Sequence, residues 1–425
     1  MAASLACATV AGRAQAIDAA APSNTKRLGF IGVGNRGTQL LEAFLAHADV
    51  AVVAVCDVFE PYREKALRKL DGKAEAYSDF RRLLDRKDVD AVVIATPDHW
   101  HAVQTIFACA AGKDVYVEKP LSITIREGRR MVDAARKDDR VVQVGTQRRS
   151  SRLYGELVER VAAGTLGKVT VARAYRLSNM YPHGIGKTAT SDPPPGLDWE
   201  MWLGPRPARP FQATIAPYKF RWWDLYSSQC ANWGVHYLDA IRWITAEEAP
   251  ASVSAHGGKF AIDDDRTIPD TLEAVFEFAT GRLALFGQYE ASGNAMLRSG
   301  EIELRGTQGT AYIDERGFEV APERGGQFQD STARASALKV ASRDGNLTVQ
   351  HARNFLDCVV SRQKPNADVE IGHRSTTFSL LANIALATRA RLDWDAQAER
   401  ITNHATANEL LDYEYREPWR SVQIG

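Results

Sequence analysis

The chain has 425 residues, 45% hydrophobic and 25% charged, so it is long enough for two globular domains. Lysine and arginine total 53, as do aspartate and glutamate, so net charge gives no argument for binding nucleic acid or an anionic membrane. No apolar run is long enough to cross a bilayer, and the five scattered cysteines form no pattern typical of disulfides or zinc sites. A neutral small molecule is therefore the expected partner.

Residues 1–25 are Ala-rich and nearly uncharged. The AQA tripeptide at Ala14–Ala16 resembles a signal cleavage site, but no basic segment precedes the apolar part as it does in an export signal. The segment is therefore either the remnant of an export signal, whose twin-arginine start lies upstream, or a disordered extension. The first alternative predicts a periplasmic or exported protein and the second a cytoplasmic one, and we exclude these residues from the fold.

From Lys26 onward, short runs rich in Val and Ile alternate with helical patterns. The predicted strands are RLGFIGVG, VAVVAVCD, DAVVIATP, DVYVEK and VVQVGT. The predicted helices are NRGTQLLEAFLAHA, DFRRLLDRKD, DHWHAVQTIFACAAG and TIREGRRMVDAARK. Continuous apolar strands that alternate with helices indicate a parallel sheet covered on both faces. Residues 26–148 are therefore predicted to form a doubly wound α/β domain.

The first predicted strand runs directly into GVGNRG, which has the GxGxxG pattern of a dinucleotide-binding turn. Gly32 and Gly34 would let the backbone approach a pyrophosphate, and Gly37 would let the helix pack closely on the strand. Asp57 ends the next predicted strand, where a carboxylate binds the adenosine ribose and repels the 2′-phosphate of NADP. The pattern predicts NAD as the cofactor, with NADP as the alternative because Arg63 is close in sequence.

Two further strand ends carry polar residues, and ligands of such sheets bind beyond the carboxyl ends of the strands. In ATPDHWH, the spacing of Asp98, His99 and His101 fits no metal signature, so nicotinamide contacts or a helix cap explain them better. In VYVEKP, the proline keeps Lys119 extended at the end of a buried strand, toward the cofactor crevice. The predicted cofactor-binding residues are Gly32, Gly34, Asn35, Arg36, Gly37, Asp57, Thr96, Pro97, His99, His101, Glu118 and Lys119.

Residues 149–425 show a mixed α/β pattern. The strand-like segments are KVTVARAYRLS, ASVSAHGG, TLEAVFEFATG, RLALFGQYEA, EIELRGTQG and TAYIDERG. Gly-containing turns between several of them indicate antiparallel neighbours. The insertion DPPPGLDWEMWLGPRPARPF is too proline-rich for a sheet interior, so we predict an ordered loop over the site or along an oligomer edge.

The segment ANWGVHYLD, Ala231–Asp239, is read as a helix in which Asn232, His236 and Asp239 lie along one stripe. His236 is either a catalytic base with orienting partners or a satisfied histidine within packing, and the segment alone favours packing. Tryptophans and arginines are concentrated nearby. Aromatic faces suit the C–H faces of sugar rings, and arginines bind hydroxyls or carboxylates, although core packing is the default for most of these side chains.

These motifs resemble those of the glucose-fructose oxidoreductase, inositol dehydrogenase and rhizopine-catabolism (Gfo/Idh/MocA) oxidoreductases. The resemblance rests on GVGNRG, TPDHWH, VEKP, KFRWWDLYSSQCANWGVHYLD and, near the end, HARNFLDCVVSRQKPNADVEIGHRS with FSLLANIALATRA. It covers nearly the whole chain after residue 25. It implies an α/β protein with an N-terminal Rossmann domain and a C-terminal α/β domain, whose large, open, mostly antiparallel sheet carries the substrate site on one face.

The family's EKP lysine maps onto Lys119 and its histidine onto His236, which favours the catalytic interpretation of His236. The family's aspartate falls on Asn232, which can neither take up a proton nor stabilise an imidazolium by charge, but can bind a substrate hydroxyl. Asp239 is a candidate orienting partner. The implied catalytic residues are Lys119, Asn232 and His236, and no metal ligands are predicted. The predicted substrate-binding residues are Lys119, Arg148, Tyr181, Arg221, Trp223, Asn232 and His236.

The resemblance implies hydride transfer between NAD(P) and a secondary hydroxyl of a sugar, glycoside or cyclitol. His236 would exchange the hydroxyl proton, and Lys119 would stabilise the developing alkoxide, lower the pKa of the base by its charge or join the proton relay. One alternative is an NAD-dependent glycosidase or lyase that acts through a transient keto-sugar and recycles its cofactor. Another is a non-catalytic sensor, against which both residues argue. The open sheet predicts a homodimer or homotetramer.

Overall fold

The computed structural model of the protein describes residues 25–424. The prediction for residues 1–25 lies outside this part of the chain, apart from Thr25. None of the helices in the described residues is long and apolar enough to span a membrane. The four cysteines in the same range are all buried and unpaired, namely Cys56, Cys109, Cys230 and Cys358.

The first sheet is parallel and doubly wound, as predicted. Its strands are β1 Lys26–Ile31, β2 Val50–Cys56, β3 Glu75–Tyr77, β4 Ala91–Ile94, β5 Asp114–Val117 and β6 Val142–Val144. They lie in the order β3-β2-β1-β4-β5-β6. The helices that follow them are α1 Asn35–Leu45, α2 Glu60–Lys69, α3 Phe80–Leu84, α4 His101–Ala110 and α5 Ile125–Lys137. Helices cover both faces, so β4 and β5 are buried along their whole length.

The second sheet has ten strands and is mostly antiparallel, as predicted. Its strands are β7 Val169–Leu177, β8 Ser252–Gly258, β9 Thr271–Phe278, β10 Arg282–Tyr289, β11 Ile302–Gly306, β12 Gly309–Asp314, β13 Gly317–Pro322, β14 Leu338–Ala341, β15 Leu392–Asp395 and β16 Arg400–Ile401. They lie in the order β14-β13-β12-β11-β7-β10-β9-β8-β15-β16. Only β7 and β10 pair in parallel, so their carboxyl ends lie at the same edge of the sheet.

Helices from the second half of the chain pack against both sheets. The remaining helices are α6 Arg152–Ala162, α7 Trp199–Leu203, α8 Val235–Thr245, α9 Leu347–Ser361, α10 Val369–Thr388 and α11 Arg420–Ile424. The helices α8 and α10 pack against strands of the second sheet. In contrast, α9 packs beside α1 on the first sheet. Its Phe355 is fully buried, with its ring centre 6.2 Å from that of Phe44 and 6.0 Å from that of Tyr116.

We expect Phe355→Ala to lower the free energy of unfolding by about 3–5 kcal/mol, because it removes a buried ring from this aromatic cluster. Chemical denaturation followed by circular dichroism measures the loss. Phe328→Ala is the matched control, because Phe328 is 92% exposed and its removal should change the free energy of unfolding by less than about 0.5 kcal/mol. Equal effects of the two substitutions would contradict the packing role of α9.

Candidate functional site

The glycine-rich turn joins β1 to α1 and leaves no room for side chains. Gly32 has a φ of +84°, in the left-handed region, and a Cβ there would lie 2.6 Å from the backbone nitrogen of Thr96. A Cβ on Gly37 would lie 2.0 Å from the carbonyl oxygen of Gly32. The first turn of α1 is therefore packed directly on the end of β1, and Gly37 acts through this packing.

A crevice of about 830 Å³ opens at the carboxyl ends of the first-sheet strands. We call it the nucleotide crevice. The predicted cofactor-binding residues that line it are Gly32, Gly34, Asn35, Arg36, Asp57, Thr96 and Pro97. The bare glycine turn, the amino terminus of α1 and a carboxylate at the end of β2 fit the pyrophosphate and the ribose of a dinucleotide.

Asp57 occupies the position expected for ribose recognition. Its carboxylate accepts hydrogen bonds from the backbone nitrogens of Val33 at 2.9 Å and Phe59 at 3.0 Å. Burial raises the pKa of Asp57 to about 6, so its side chain is charged at neutral pH. The Arg63 guanidinium donates to the Asp57 backbone carbonyl oxygen at 2.6 Å, so it is held against the chain beside the carboxylate.

The proline-rich insertion lies over the nucleotide crevice. Backbone hydrogen bonds of 2.9 and 3.0 Å join residues 196 and 198 of the insertion to residues 60 and 58, which follow β2. Three of its side chains line the crevice, namely Leu197, Met201 and Trp202. The second domain thus roofs the side of the crevice next to Asp57, which is one of the two places that the sequence predicted for this loop.

Lys119 follows β5 and reaches across to the second domain. Its ammonium donates to the backbone carbonyl oxygen of Asn232 at 2.9 Å and to the side-chain Oδ1 of the same residue at 2.7 Å. Asn232 lies in a π-helical turn, Cys230–Gly234, directly before α8. Burial lowers the pKa of Lys119 to about 8, against the opposing charges of Glu118 and Asp98. The ammonium is therefore still mostly charged at neutral pH.

His236 lies one turn beyond Asn232, at the start of α8. Within residues 25–424, no protein group is hydrogen-bonded to either of its ring nitrogens. Burial lowers the pKa of His236 well below its ordinary value, and the positive charges of Lys119, Arg148 and Arg36 lower it further. The imidazole is therefore neutral at neutral pH, and both of its ring nitrogens are open to a ligand.

Glu118 and Arg36 form a buried ion pair beside this lysine. The Nε atom of Arg36 lies 2.8 Å from Oε1 of Glu118. Burial acts to raise the pKa of Glu118, but the charges of Arg36 and Lys119 outweigh it and hold the pKa below its ordinary value. The negative charge of Glu118 is therefore already balanced within the protein.

The two histidines of the TPDHWH motif have different roles. The ring nitrogens of His101 face the carbonyl oxygens of Pro120 at 2.7 Å and Thr96 at 3.0 Å, so His101 ties two strand ends together. The Nε2 atom of His99 lies 2.9 Å from the carbonyl oxygen of Trp202, and burial lowers the pKa of His99 to about 3. His99 is packed beneath the insertion and does not line the nucleotide crevice, so its placement gives no support to the predicted cofactor contact.

Lys119 and Asn232 lie in a second crevice, of about 1230 Å³, which we call the substrate crevice. The other predicted site residues that line it are Asn35, Arg36, Thr96, His101, Glu118 and Arg221. Residues that the sequence analysis did not single out also line it, namely Gln39, Arg176, Ser178, Met180, Tyr218, Gln229 and Glu290. Arg176 is near the end of β7 and Glu290 follows β10. A charged residue at the end of a strand is the sequence signal that could have identified both residues.

Apart from His236, which is also not among the lining residues, three predicted substrate-binding residues do not line the substrate crevice. Arg148 is buried and forms an ion pair with Glu301. Trp223 is buried, and its indole nitrogen donates to the carbonyl oxygen of Thr214 at 2.6 Å. Tyr181 is 61% exposed. The first two side chains are engaged in packing and the third lies on the surface, so their predicted contacts with substrate lack structural support.

The structure gives no support to the candidate orienting role of Asp239. Its carboxylate accepts hydrogen bonds from Arg149 Nε at 2.8 Å and from Ser375 Oγ at 2.6 Å. It is almost completely buried in this network. Asp239 therefore ties α8 to neighbouring elements of its own domain, and His236 has no carboxylate partner there.

Comparison with known proteins adds two family matches. The oxidoreductase family with an NAD-binding Rossmann fold (GFO_IDH_MocA) matches residues 26–146. The C-terminal alpha/beta domain of the same oxidoreductase family (GFO_IDH_MocA_C2) matches residues 155–421. Together the two matches span nearly all of the described residues.

Individual relatives agree with these matches. A myo-inositol 2-dehydrogenase of Thermotoga maritima is 33% identical over 293 residues, which are 68% of this chain and 75% of that protein. A glycosyl hydrolase family 109 protein of Saccharopolyspora erythraea is 43% identical over 124 residues, only 27% of each chain. A levoglucosan dehydrogenase, solved with NADH and levoglucosan, has the same fold, with a TM-score of 0.66 at 19% identity over 87% of this chain and 99% of that chain.

A Rossmann domain with a complete dinucleotide turn is thus joined to the C-terminal domain of one oxidoreductase family, and a dehydrogenase relative matches two thirds of the chain. The protein belongs to the Gfo/Idh/MocA family of NAD-dependent, dehydrogenase-type oxidoreductases.

Proposed function

We propose that the protein transfers a hydride between NAD and a carbon that bears a secondary hydroxyl of a sugar, glycoside or cyclitol. The observation that carries this proposal is that Lys119 lines the substrate crevice and is held there by Asn232, one helical turn before the unpartnered His236. That crevice continues into the nucleotide crevice, because both are lined by Asn35, Arg36, Thr96 and Arg221. The bound nicotinamide supplies the hydride acceptor or donor.

His236 and Lys119 have different roles at the reacting hydroxyl group of the substrate. His236 takes up the hydroxyl proton during oxidation and returns it during reduction, because its imidazole is neutral and unpartnered. Lys119 stabilises the negative charge that develops on the oxygen, because its third N–H is not used by Asn232. Asn232 fixes the lysine rather than exchanging a proton, because an amide does not titrate.

NAD fits the nucleotide crevice better than NADP does. The charged Asp57 carboxylate can accept hydrogen bonds from ribose hydroxyls and repels a 2′-phosphate. The neighbouring Arg63 is already bound to a backbone carbonyl oxygen. This arrangement supports NAD as the cofactor.

A second candidate is an NAD-dependent glycosidase that recycles its cofactor. The roof formed by the insertion favours it, because a covered crevice suits a nucleotide that stays bound through a catalytic cycle. The local similarity to a glycosyl hydrolase family 109 protein points in the same direction. Incubation with NAD and a panel of sugars, cyclitols and chromogenic glycosides separates the two. A dehydrogenase forms NADH, whereas a recycling glycosidase releases the chromophore without net NADH. A protein that does neither would overturn both.

We expect the nucleotide that the purified protein releases on denaturation to be NAD rather than NADP, because of the charge of Asp57. Chromatography of the released nucleotide measures its identity and amount. A near-stoichiometric amount favours the recycling glycosidase, and an empty protein that binds added NAD favours the dissociable dehydrogenase. Asp57→Ala is the control and should retain less nucleotide. Release of NADP would contradict the assignment of the cofactor.

We expect Lys119→Met to lower kcat by about 10²–10³-fold, the usual effect of removing one donor to a developing oxyanion. The Kd for NAD, measured by calorimetry, should change little, because Gly32, Asp57 and the helix amino terminus remain. Lys168→Met removes an exposed lysine and serves as the control. Unchanged turnover in Lys119→Met would remove Lys119 from the mechanism.

The pH profile tests the charge states. Lys119 is charged below its pKa of about 8, so kcat/KM for oxidation should fall as the pH rises through that value. On the acid side, His236 should stay neutral at about pH 6.5, the ordinary pKa of histidine, so no loss is expected there. Initial rates at constant ionic strength provide the measurement. A rate that rises through pH 8 would instead indicate that neutral Lys119 acts as the base.

A further inference from the structure

Most acidic side chains of the substrate crevice already have a partner within the protein. Glu290 accepts hydrogen bonds from the indole nitrogen of Trp222 at 3.0 Å and from Arg266 at 2.5 Å. Arg266 is fully buried and also binds Asp264 at 2.9 Å. Glu118 is paired with Arg36 as described above, and Asp98 accepts a hydrogen bond from Ser227. Glu118 and Glu290 therefore already have a cationic partner within the protein, whereas the partner of Asp98 is a neutral hydroxyl.

Arg176 forms no such contact, and its charge acts on the Glu290 carboxylate only at longer range. Within residues 25–424, no carboxylate oxygen lies within 4.0 Å of its guanidinium, and no hydrogen bond to the guanidinium is formed. The group is instead stacked on the indole of Trp233, 3.8 Å from the ring centre. It is partly buried and lines the substrate crevice. A guanidinium carries five N–H donors, and leaving them unused in a partly buried position is costly unless a ligand binds them.

The stack also fixes where the guanidinium stands relative to the reacting groups. The ring centres of Trp233 and His236 are 6.3 Å apart, and Trp233 directly follows Asn232, which holds Lys119. The guanidinium and the His236 ring therefore both have the Trp233 ring as a neighbour, so one substrate molecule can contact both. Stacking restricts the arginine before binding, so little conformational entropy is lost when an anion arrives.

The electrostatic potential of the substrate crevice is positive, like the charge of Arg176. Burial lowers the pKa of His236, and the positive charges of Lys119, Arg148 and Arg36 lower it further, so an anion near these groups would be stabilised. Arg221 adds a further cation, because it lines the crevice and has no ion-pair partner among the described residues. Overall neutrality of the chain therefore coexists with a local excess of positive charge at the site.

We propose that Arg176 binds an anionic oxygen group, a carboxylate or a phosphate, carried by the carbohydrate substrate. This inference rests on the proposed function, because it uses the same crevice. It replaces the neutral partner expected from composition with an acidic sugar, such as a hexuronate or a sugar phosphate. The planar fork of Arg176 suits bidentate binding of either group.

The test measures binding separately from turnover. The NAD-loaded protein is titrated by calorimetry with gluco-, galacto- and manno-configured neutral hexoses, the matching hexuronates and the matching hexose 6-phosphates. NADH formation is recorded with the same compounds. At least one anionic form should bind about 10- to 100-fold more tightly than its neutral counterpart, which is the usual effect of hydrogen bonds to a charged group. Whether the hexuronate or the hexose 6-phosphate binds more tightly shows whether the anionic group is a carboxylate or a phosphate.

Substitutions then assign the effect to one side chain. Arg176→Met should abolish the preference for the anion, and Arg176→Lys should give an intermediate preference. Arg298→Met is the matched control, because Arg298 also stacks on an aromatic ring, that of Tyr312, but lies outside the substrate crevice. It should keep the full preference.

The outcomes separate this inference from the proposed function. A wild-type protein without preference for anions, or a preference that survives in Arg176→Met, overturns the inference, even if neutral sugars are oxidised. Anion binding that depends on Arg176 but gives neither NADH nor cleavage of a glycoside supports the inference and overturns the proposed function.

Discussion

The hydrogen bonds from the Lys119 ammonium to Asn232 fix the site, because they join the end of a first-domain strand to a helix of the second domain. A buried ammonium loses its hydration, and the two oxygens of Asn232 replace part of it. An aspartate at this position would neutralise the lysine and raise the pKa of the neighbouring histidine. The asparagine adds no charge to those of Glu118 and Asp98, which oppose Lys119, and burial together with the lysine charge keeps His236 neutral.

The fold was largely predictable because both sheets leave strong patterns in the sequence. The buried strands β4 and β5 are continuous apolar runs, and the glycine turn has the spacing that its packing requires. The helix α6 was not predicted although it is amphipathic and buries Leu153, Tyr154 and Leu157, but other elements that were not predicted lack such patterns. The helix α2 buries only Ala66 along its length, and β14 has no buried residue at all. Elements with so little buried apolar surface have no periodicity to detect.

The site was predictable only where a motif marks it. Lys119 and His236 are at motif positions, and both stand at the crevice or next to it. Composition did not distinguish Trp223, which packs, from Trp233, which carries Arg176, because the two differ only in their tertiary surroundings. The π-helical turn that exposes the Asn232 carbonyl oxygen to Lys119 also has no sequence period of its own.

The first domain cannot be completed until α9, which lies near the end of the chain, has been synthesised. The ribosome synthesises the whole first sheet early, but the helix that completes one of its faces emerges only after β14 of the second sheet. Until then the aromatic cluster around Phe44 is exposed, and it is a natural binding surface for chaperones. The Rossmann domain is therefore not expected to be stable when it is separated from the rest of the chain. Fusions or truncations that end after its last strand would leave an apolar face uncovered, and such fragments should aggregate.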